Sequence, residues 1–469
     1  MVARGDLPVV SRHLLEAEGG GITPATTVFP STTVVAYLPF LTGCHPATCD
    51  IPGIRWLDPA CYAGRWWRDR AHLRSYCGHQ GALLNRDLGP GIRSLFDLEP
   101  DSAAICSPFL RGLRRGRALG RAARTVLGGI AHYTGRYGAL DPALGRALVR
   151  LATEPPRFTF AVFPGLDGVT HFFDPWHPKV LAAYRGMDEI LGGFARAGGF
   201  DGNHLTLVVS DHGLSPVVRH TDLAVALEAR GVRTLAHPIV WRRRPDVAVM
   251  VSGNGSAQVY LRPGTIRSTR YDVEDIEREG VPGVPLDLVR WLAELPGIGL
   301  IAGTDGSDVV VLNRQGRARV RRESDGLITY APEGADPLAV GGRASLDERE
   351  WLERTHDGPW PDAPVQLLLL FRSRRAGDLV VIAAPGADLR DRWEAPEHRS
   401  GHGSLHGDHM RCLVAGNRAW RGPIRTTDLF PLVLTHLGHA VPAGIDGVEP
   451  DRAPTESRYA AGSSPAASR

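Results

Sequence analysis

The sequence predicts an α/β protein with a mostly parallel sheet, and three observations carry that reading. Short apolar runs rich in β-branched residues alternate with segments of helical spacing. Acid and histidine clusters follow several of those runs directly. A length of 469 residues with 43% apolar content suits one large domain carrying insertions. The clearest strands are expected at 158–163, 205–210, 365–371 and 379–383. A helix is expected over 178–197, because Val180, Leu181, Tyr184, Met187, Ile190, Leu191 and Phe194 fall at helical spacing. Strand, helix and strand make a βαβ unit, and ligands of open α/β sheets gather beyond the carboxyl ends of the strands. Those ends deliver Asp167 and Asp211.

Two segments interrupt the alternation within a core expected to span 1–448. Residues 52–155 are rich in Arg, Trp, Tyr and Gly and read as an inserted cap, in which Trp56, Trp66, Trp67, Arg55 and Arg74 either shape a pocket or fill the cap's own core. Residues 216–364 mix strand signals at 258–261 and 309–312 with a helix at 286–295, and read as a smaller subdomain. The last stretch, 449–469, has almost no large apolar residues and is expected to be a disordered tail.

Composition narrows the function. A formal net charge of +3 is small for this length, so nothing demands a nucleic-acid polymer as partner. Lys179 is the only lysine, which makes the arginine content a general bias. One basic stretch stands out: Arg111, Arg114, Arg115, Arg117, Arg121 and Arg124 read as a helix face, more often simply solvated than a docking surface. Six scattered cysteines without a CxxC pair argue against a cysteine zinc knuckle and for free buried thiols. No apolar run approaches a bilayer span and the first twenty residues lack a signal-peptide core, so a cytoplasmic location is expected.

Four short segments carry chemistry. In FAVFPGLDGVTH a buried run delivers Asp167 and His171 four residues apart, and a carboxylate and an imidazole so placed can close on one divalent metal. In LTLVVSDHG a strand runs straight into Asp211 and His212, with Gly213 letting the backbone turn away. RSGHGSLHGDHM lies in a loop holding His398, His402, His406 and His409, which alone would read as solvated. In VFPSTTVVAYLPFLTG, Thr33 opens a helical pattern; its hydroxyl is either a nucleophile favoured by free N–H groups or an ordinary N-cap.

Taken in order, FPSTT…LTG, LDGVTH, SDHG and GHGSLH resemble the motifs of the alkaline phosphatase superfamily, most closely its nucleotide pyrophosphatase and type I phosphodiesterase branch. The resemblance runs from about residue 7 to 447, and TTDLFPLVLTHLG looks like the family's closing helix. It implies a three-layer α/β/α sandwich, two divalent metal ions of the zinc type and a covalent phosphothreonine. By the same resemblance Thr33 is the nucleophile, Asp211 and His212 bind the metal beside it, and Asp167, His171 and His402 bind the second. His402 is preferred to His406 because the G-H-G pattern is followed several residues later by Met410.

Three departures accompany the match. Family members usually begin with a strand ending in Asp-Gly whose aspartate binds the nucleophile-side metal; this sequence starts just past that place, and Asp6 in DLPVVSRHLL reads as the start of a capped helix. A start internal to a longer gene is the expected explanation. In TGCHPATCDIPG the family's His-Gly is replaced by Cys49 and Asp50, while Thr48 breaks the superficial likeness of Cys44, His45 and Pro46 to a sulfatase motif. Ala36 stands where nucleotide-cleaving relatives often carry asparagine. The leading expectation is a metal-dependent hydrolase of small phosphoric diesters or pyrophosphates. The alternatives are a phosphomonoesterase or phosphonate hydrolase, and a non-catalytic member that binds a phosphorylated ligand. Asn254 and Asp378 are expected to be turn residues.

Overall fold

The computed structural model describes residues 1–200, 204–281, 284, 286–392, 394 and 397–453. Its architecture is mixed α/β, as the sequence predicts. Three sheets position the site. A four-stranded sheet has the order Ile424–Arg425, Gly21–Thr26, Arg411–Gly416, Leu207–Val209. A three-stranded parallel sheet has the order Ala118–Leu119, Ser102–Ile105, Phe158–Ala161. A nine-stranded sheet joins strands between 234 and 346 to Leu379–Ala383, which pairs antiparallel with both Ser256–Leu261 and Ile298–Asp305.

Strand direction departs from the sequence reading. Parallel pairing holds in the three-stranded sheet, but the larger sheets pair mainly antiparallel. Antiparallel neighbours need only tight hairpins, and the turns at 253–255 and 306–307 supply them with Gly253 and Gly306 at positive φ. The two strands of the expected βαβ unit, Phe158–Ala161 and Leu207–Val209, each end their own sheet instead of pairing with one another.

The helix between them runs Pro178–Arg196, almost as its spacing predicts. Its buried Asp188 accepts hydrogen bonds from the backbone N–H groups of Val9 (3.0 Å) and Val10 (2.9 Å), satisfying donors that a helix start leaves unpaired. The cap of the first helix, Pro8–Val10, therefore comes from across the fold, because Asp6 is engaged by Arg185 and Arg4.

The segment 365–371 is a correction: it lies in a helix, Ala363–Leu370, and not in a strand. Pro364 fixes φ in the first turn, and the leucines that follow, not branched at Cβ, have high helix propensity. The helix is buried almost all round, so its apolar run has neither helical nor strand periodicity. Just before it, the carboxylate of Asp362 forms a buried two-pronged pair with Arg425, at 2.7 and 2.8 Å, and accepts a further bond from Gln366 Nε2 at 2.9 Å.

The basic stretch 111–124 is also not one helix. Gly112, Gly116 and Gly120 adopt positive φ and break it into turns before Arg121–Ala123. Within residues 52–155 Trp56 is fully buried, donates to the Tyr76 hydroxyl at 3.0 Å and lies under the Arg375 guanidinium. Arg74 forms a two-pronged pair with Asp87, whereas Trp67 is exposed. All six cysteines are free, but only Cys44, Cys49 and Cys106 are buried. The expected closing helix is present as Leu429–Leu437, ended by Gly438 at φ 78°. Of the expected tail, Asp451 and Ala453 bond back to Arg421 and Ala419, and 454–469 lie outside the described residues. No helix among the described residues is long and apolar enough to cross a membrane.

Candidate metal centre and nucleophile

Asp167 and His171 sit on a helix, Gly165–Phe172, that begins just after the strand Phe158–Ala161. Their four-residue spacing therefore puts both on one helix face, with His171 Nε2 at 3.5 Å from Asp167 Oδ2. His402 approaches the same carboxylate from the other side, its Nε2 at 3.8 Å from Asp167 Oδ1. One ligand atom from each of Asp167, His171 and His402 lies within 4.8 Å of the other two. Asp167 Oδ1 is buried and accepts no hydrogen bond among the described residues, a costly arrangement for a carboxylate without a cation. The set therefore fits a divalent ion with imidazole and carboxylate ligands.

The second pair follows Leu207–Val209. His212 Nε2 lies 3.4 Å from Asp211 Oδ2, and the turn is tied down by Thr27, whose hydroxyl donates to the Asp211 carbonyl at 2.5 Å, and by Gly213 N–H bonding to the His409 carbonyl. A Cβ on Gly213 would stand 2.1 Å from the Asp408 carbonyl oxygen. Close approach of two backbones, and not a positive φ, is what this glycine provides.

The three imidazoles share a tautomer. Nδ1 of His171 faces the Ser400 carbonyl at 3.2 Å, Nδ1 of His402 the Ser31 carbonyl at 3.2 Å, and Nδ1 of His212 the Gly213 carbonyl at 3.0 Å. A carbonyl only accepts, so each Nδ1 carries the proton and each Nε2 of a neutral ring presents a lone pair to the site. Such backbone partners orient metal-binding histidines. The rings of His212 and His402 stack at 4.0 Å, which brings the two groups of ligands together. His406 stays outside: both of its ring nitrogens are buried without a hydrogen-bond partner among the described residues, and burial pushes its pKa down to about 4. His409 is structural, bonded to Ser215 Oγ and the Ser404 N–H.

Thr33 is not an N-cap. The short helix Val35–Tyr37 is preceded by Val34, without a side-chain cap, and the Thr33 hydroxyl lies 3.1 Å from His212 Nε2. Because that nitrogen is the acceptor, Thr33 donates. Val34 has φ 74° and ψ −51°, a conformation a β-branched residue adopts only under constraint, and this bend aims Thr33 at His212.

The electrostatics suit cation binding. Burial alone would raise the Asp167 pKa, but positive charge on its neighbours, on His171 first, outweighs it and holds the carboxyl well below the usual range, so the site rewards a cation beside Asp167. Burial, then the neighbouring His212, pushes His402 far down, so it is neutral at physiological pH. Burial and the nearby Asp167 raise Asp211, two carboxyls that a cation between them would relieve.

Tyr37 escaped the sequence reading, and so did the contacts Asn254 makes beside the site. Tyr37, one helical turn after Thr33, is buried, and burial together with Asp211 and Asp167 keeps its hydroxyl protonated. Asn254, a turn residue as expected at φ 60°, also forms a backbone bridge to His402, and its amide donates to Glu394 at 2.7 Å. His398 stacks on His171 at 4.2 Å. The one available signal was the count of histidines in that loop. Asp378 is more than a turn residue: fully buried, it accepts from the N–H groups of Leu261 and Tyr271 and pairs with Arg267. Asp6, engaged by arginines, takes no part.

Comparison with known proteins identifies the family and the fold. Residues 126–409 match the family described as type I phosphodiesterase / nucleotide pyrophosphatase. No curated protein matches the sequence. Among solved structures, human ectonucleotide pyrophosphatase / phosphodiesterase 5 is similar with TM-score 0.56 at 13% identity, over 94% of this chain and 91% of that one. Phosphonoacetate hydrolase from Sinorhizobium meliloti 1021, in complex with phosphonoacetate, gives TM-score 0.53 at 16% identity, over 93% and 91%. An inactive threonine-to-alanine variant of the murine phosphodiesterase 5, in complex with AMP, gives 0.51 at 13% identity, over 89% and 87%. At such identities the structural likeness establishes the fold, and the family match covers more than half of the sequence. The chain belongs to the type I phosphodiesterase / nucleotide pyrophosphatase family.

Proposed function

We propose that this chain is a metal-dependent hydrolase of phosphoric diesters or pyrophosphates that uses Thr33 as its nucleophile. The observation that carries the proposal is the convergence of the Thr33 hydroxyl on His212, with His212 stacked against His402 of the three-ligand cluster. Thr33, Asp211 and His212 would hold one ion, and Asp167, His171 and His402 the other. Two zinc-type ions supply Lewis acidity and neutralise charge on the phosphoryl group when bound.

The remaining work belongs to the chain's own residues. The bend at Val34 holds Thr33 Oγ1 in one orientation, so little freedom is lost before it attacks phosphorus. Attack forms the Thr33 Oγ–P bond and breaks the bond to the leaving oxygen, which departs with the Thr33 proton as its hydroxyl; water then cleaves the phosphothreonine, its oxygen going to phosphorus and a proton back to Thr33 Oγ.

The test compares bis-p-nitrophenyl phosphate, p-nitrophenyl phosphate and phosphonoacetate, before and after chelation and zinc restoration. The diester is expected to be cleaved fastest, with activity lost on chelation and regained with zinc. Preference for the monoester or for phosphonoacetate would reassign the substrate class. No zinc-restorable hydrolysis of any of them would overturn the hydrolase reading in favour of a phosphate-binding protein.

A further inference from the structure

We propose that Asp58, Cys61 and His72 form a separate zinc site that clasps the base of the 59–71 loop. One ligand atom from each lies within 4.8 Å of the other two, and none of the three belongs to the candidate phosphoryl-transfer centre. The backbone already sets them in place. The hairpin pairing of Arg55–Leu57 with Leu73–Ser75 continues by one position, where the Asp58 N–H bonds to the His72 carbonyl at 2.8 Å. Asp58 and His72 therefore face each other across the neck of the loop. A turn closed by Cys61 N–H on the Asp58 carbonyl at 3.1 Å brings the thiol back over the carboxylate. Asp58 Oδ1 accepts from the Ala60 N–H, at 3.1 Å, which fixes the rotation of the carboxylate.

The chemistry of the donors selects the ion. Thiolate, imidazole and carboxylate together suit zinc, whereas magnesium and calcium prefer oxygen alone. Asp58 is buried, while Cys61 opens to solvent and leaves a path for the ion and room for water as fourth ligand. Among the described residues neither the Cys61 thiol nor the His72 ring has a hydrogen-bond partner, so binding displaces no existing side-chain contact of theirs. Binding exchanges the thiol proton for the metal, S–H breaking as S–Zn forms, with the proton released to solvent. Two negative ligands balance the divalent charge. Asp58 Oδ2 faces Arg375 at 3.5 Å and Arg374 at 3.6 Å, and both guanidiniums also pair with Asp50, so the loop neck is tied to the segment 373–375 through the same carboxylate. An ion here would pin the loop to that anchor.

The test is a cobalt(II) titration of the chelator-stripped full-length protein, followed by thiolate-to-cobalt charge-transfer absorption. The phosphoryl-transfer centre has no sulfur donor and is silent in this band. A saturable band that zinc displaces is expected. It should vanish in Cys61→Ser, persist in Cys77→Ser, which removes the other exposed thiol, and require roughly tenfold or more cobalt in His72→Ala. No band in the wild type would overturn the site. So would a band lost with Cys77→Ser but kept in Cys61→Ser, or one whose affinity His72→Ala leaves unchanged. Cys61→Ser is a near-isosteric change at an exposed position, so the fold survives the comparison.

Discussion

Thr33→Ala is expected to lower kcat toward a phosphodiester on the order of a thousandfold or more, as removal of a covalent nucleophile does. The hydroxyl is half-buried and its partner is the His212 ring, which keeps its Nδ1 bond to the Gly213 carbonyl in the variant. Deleting it opens no large cavity, so the midpoint of denaturant unfolding should move by less than about 1 kcal/mol in stability. Loss of turnover with unchanged stability is thus the expected pattern. Acid-quenched wild-type protein should carry a phosphoryl group on Thr33 during turnover, and the variant none.

The largest expected stability loss is Arg425→Met, at roughly 3–5 kcal/mol by denaturant unfolding. Arg425 and Asp362 are both buried, and their two parallel hydrogen bonds join the loop before Ala363–Leu370 to the edge strand Ile424–Arg425 that precedes the closing helix. The variant leaves the Asp362 carboxylate in the interior with Gln366 as its remaining side-chain partner. The penalty is mainly that of an uncompensated charge. A second substitution, Asp362→Asn, removes the charge and keeps the Gln366 acceptor, so the double variant should recover much of the loss. A double variant no more stable than Arg425→Met alone would place the cost in packing.

How much of this was legible in the sequence depended on whether a residue's role is local. Asp167 and His171 are one helical turn apart, and Asp211 and His212 are adjacent, so short spacings were enough to pair them. The motif pattern preferred His402 to His406, and of the two it is His402 whose Nε2 lies 3.8 Å from Asp167 Oδ1. The sequence leaves Thr33 open between nucleophile and N-cap; the structure gives it no capping bond and sets its hydroxyl 3.1 Å from His212 Nε2 through the strained Val34. The run 365–371 misled because a helix buried on every side shows no periodicity. Antiparallel pairing of Leu379–Ala383 depends on partners more than seventy residues away, which no local pattern encodes. The Asp58, Cys61 and His72 cluster escaped because its spacing matches no familiar ligand motif and only the hairpin brings His72 back to Asp58.

The most direct measurement of the central claim is the number of zinc ions retained per chain in Cys61→Ser protein, which isolates the phosphoryl-transfer centre, with and without Asp167→Ala. The account predicts two ions falling to one, with hydrolysis lost in parallel. A protein that retains no zinc, or whose zinc content and activity are indifferent to Asp167→Ala, would contradict it.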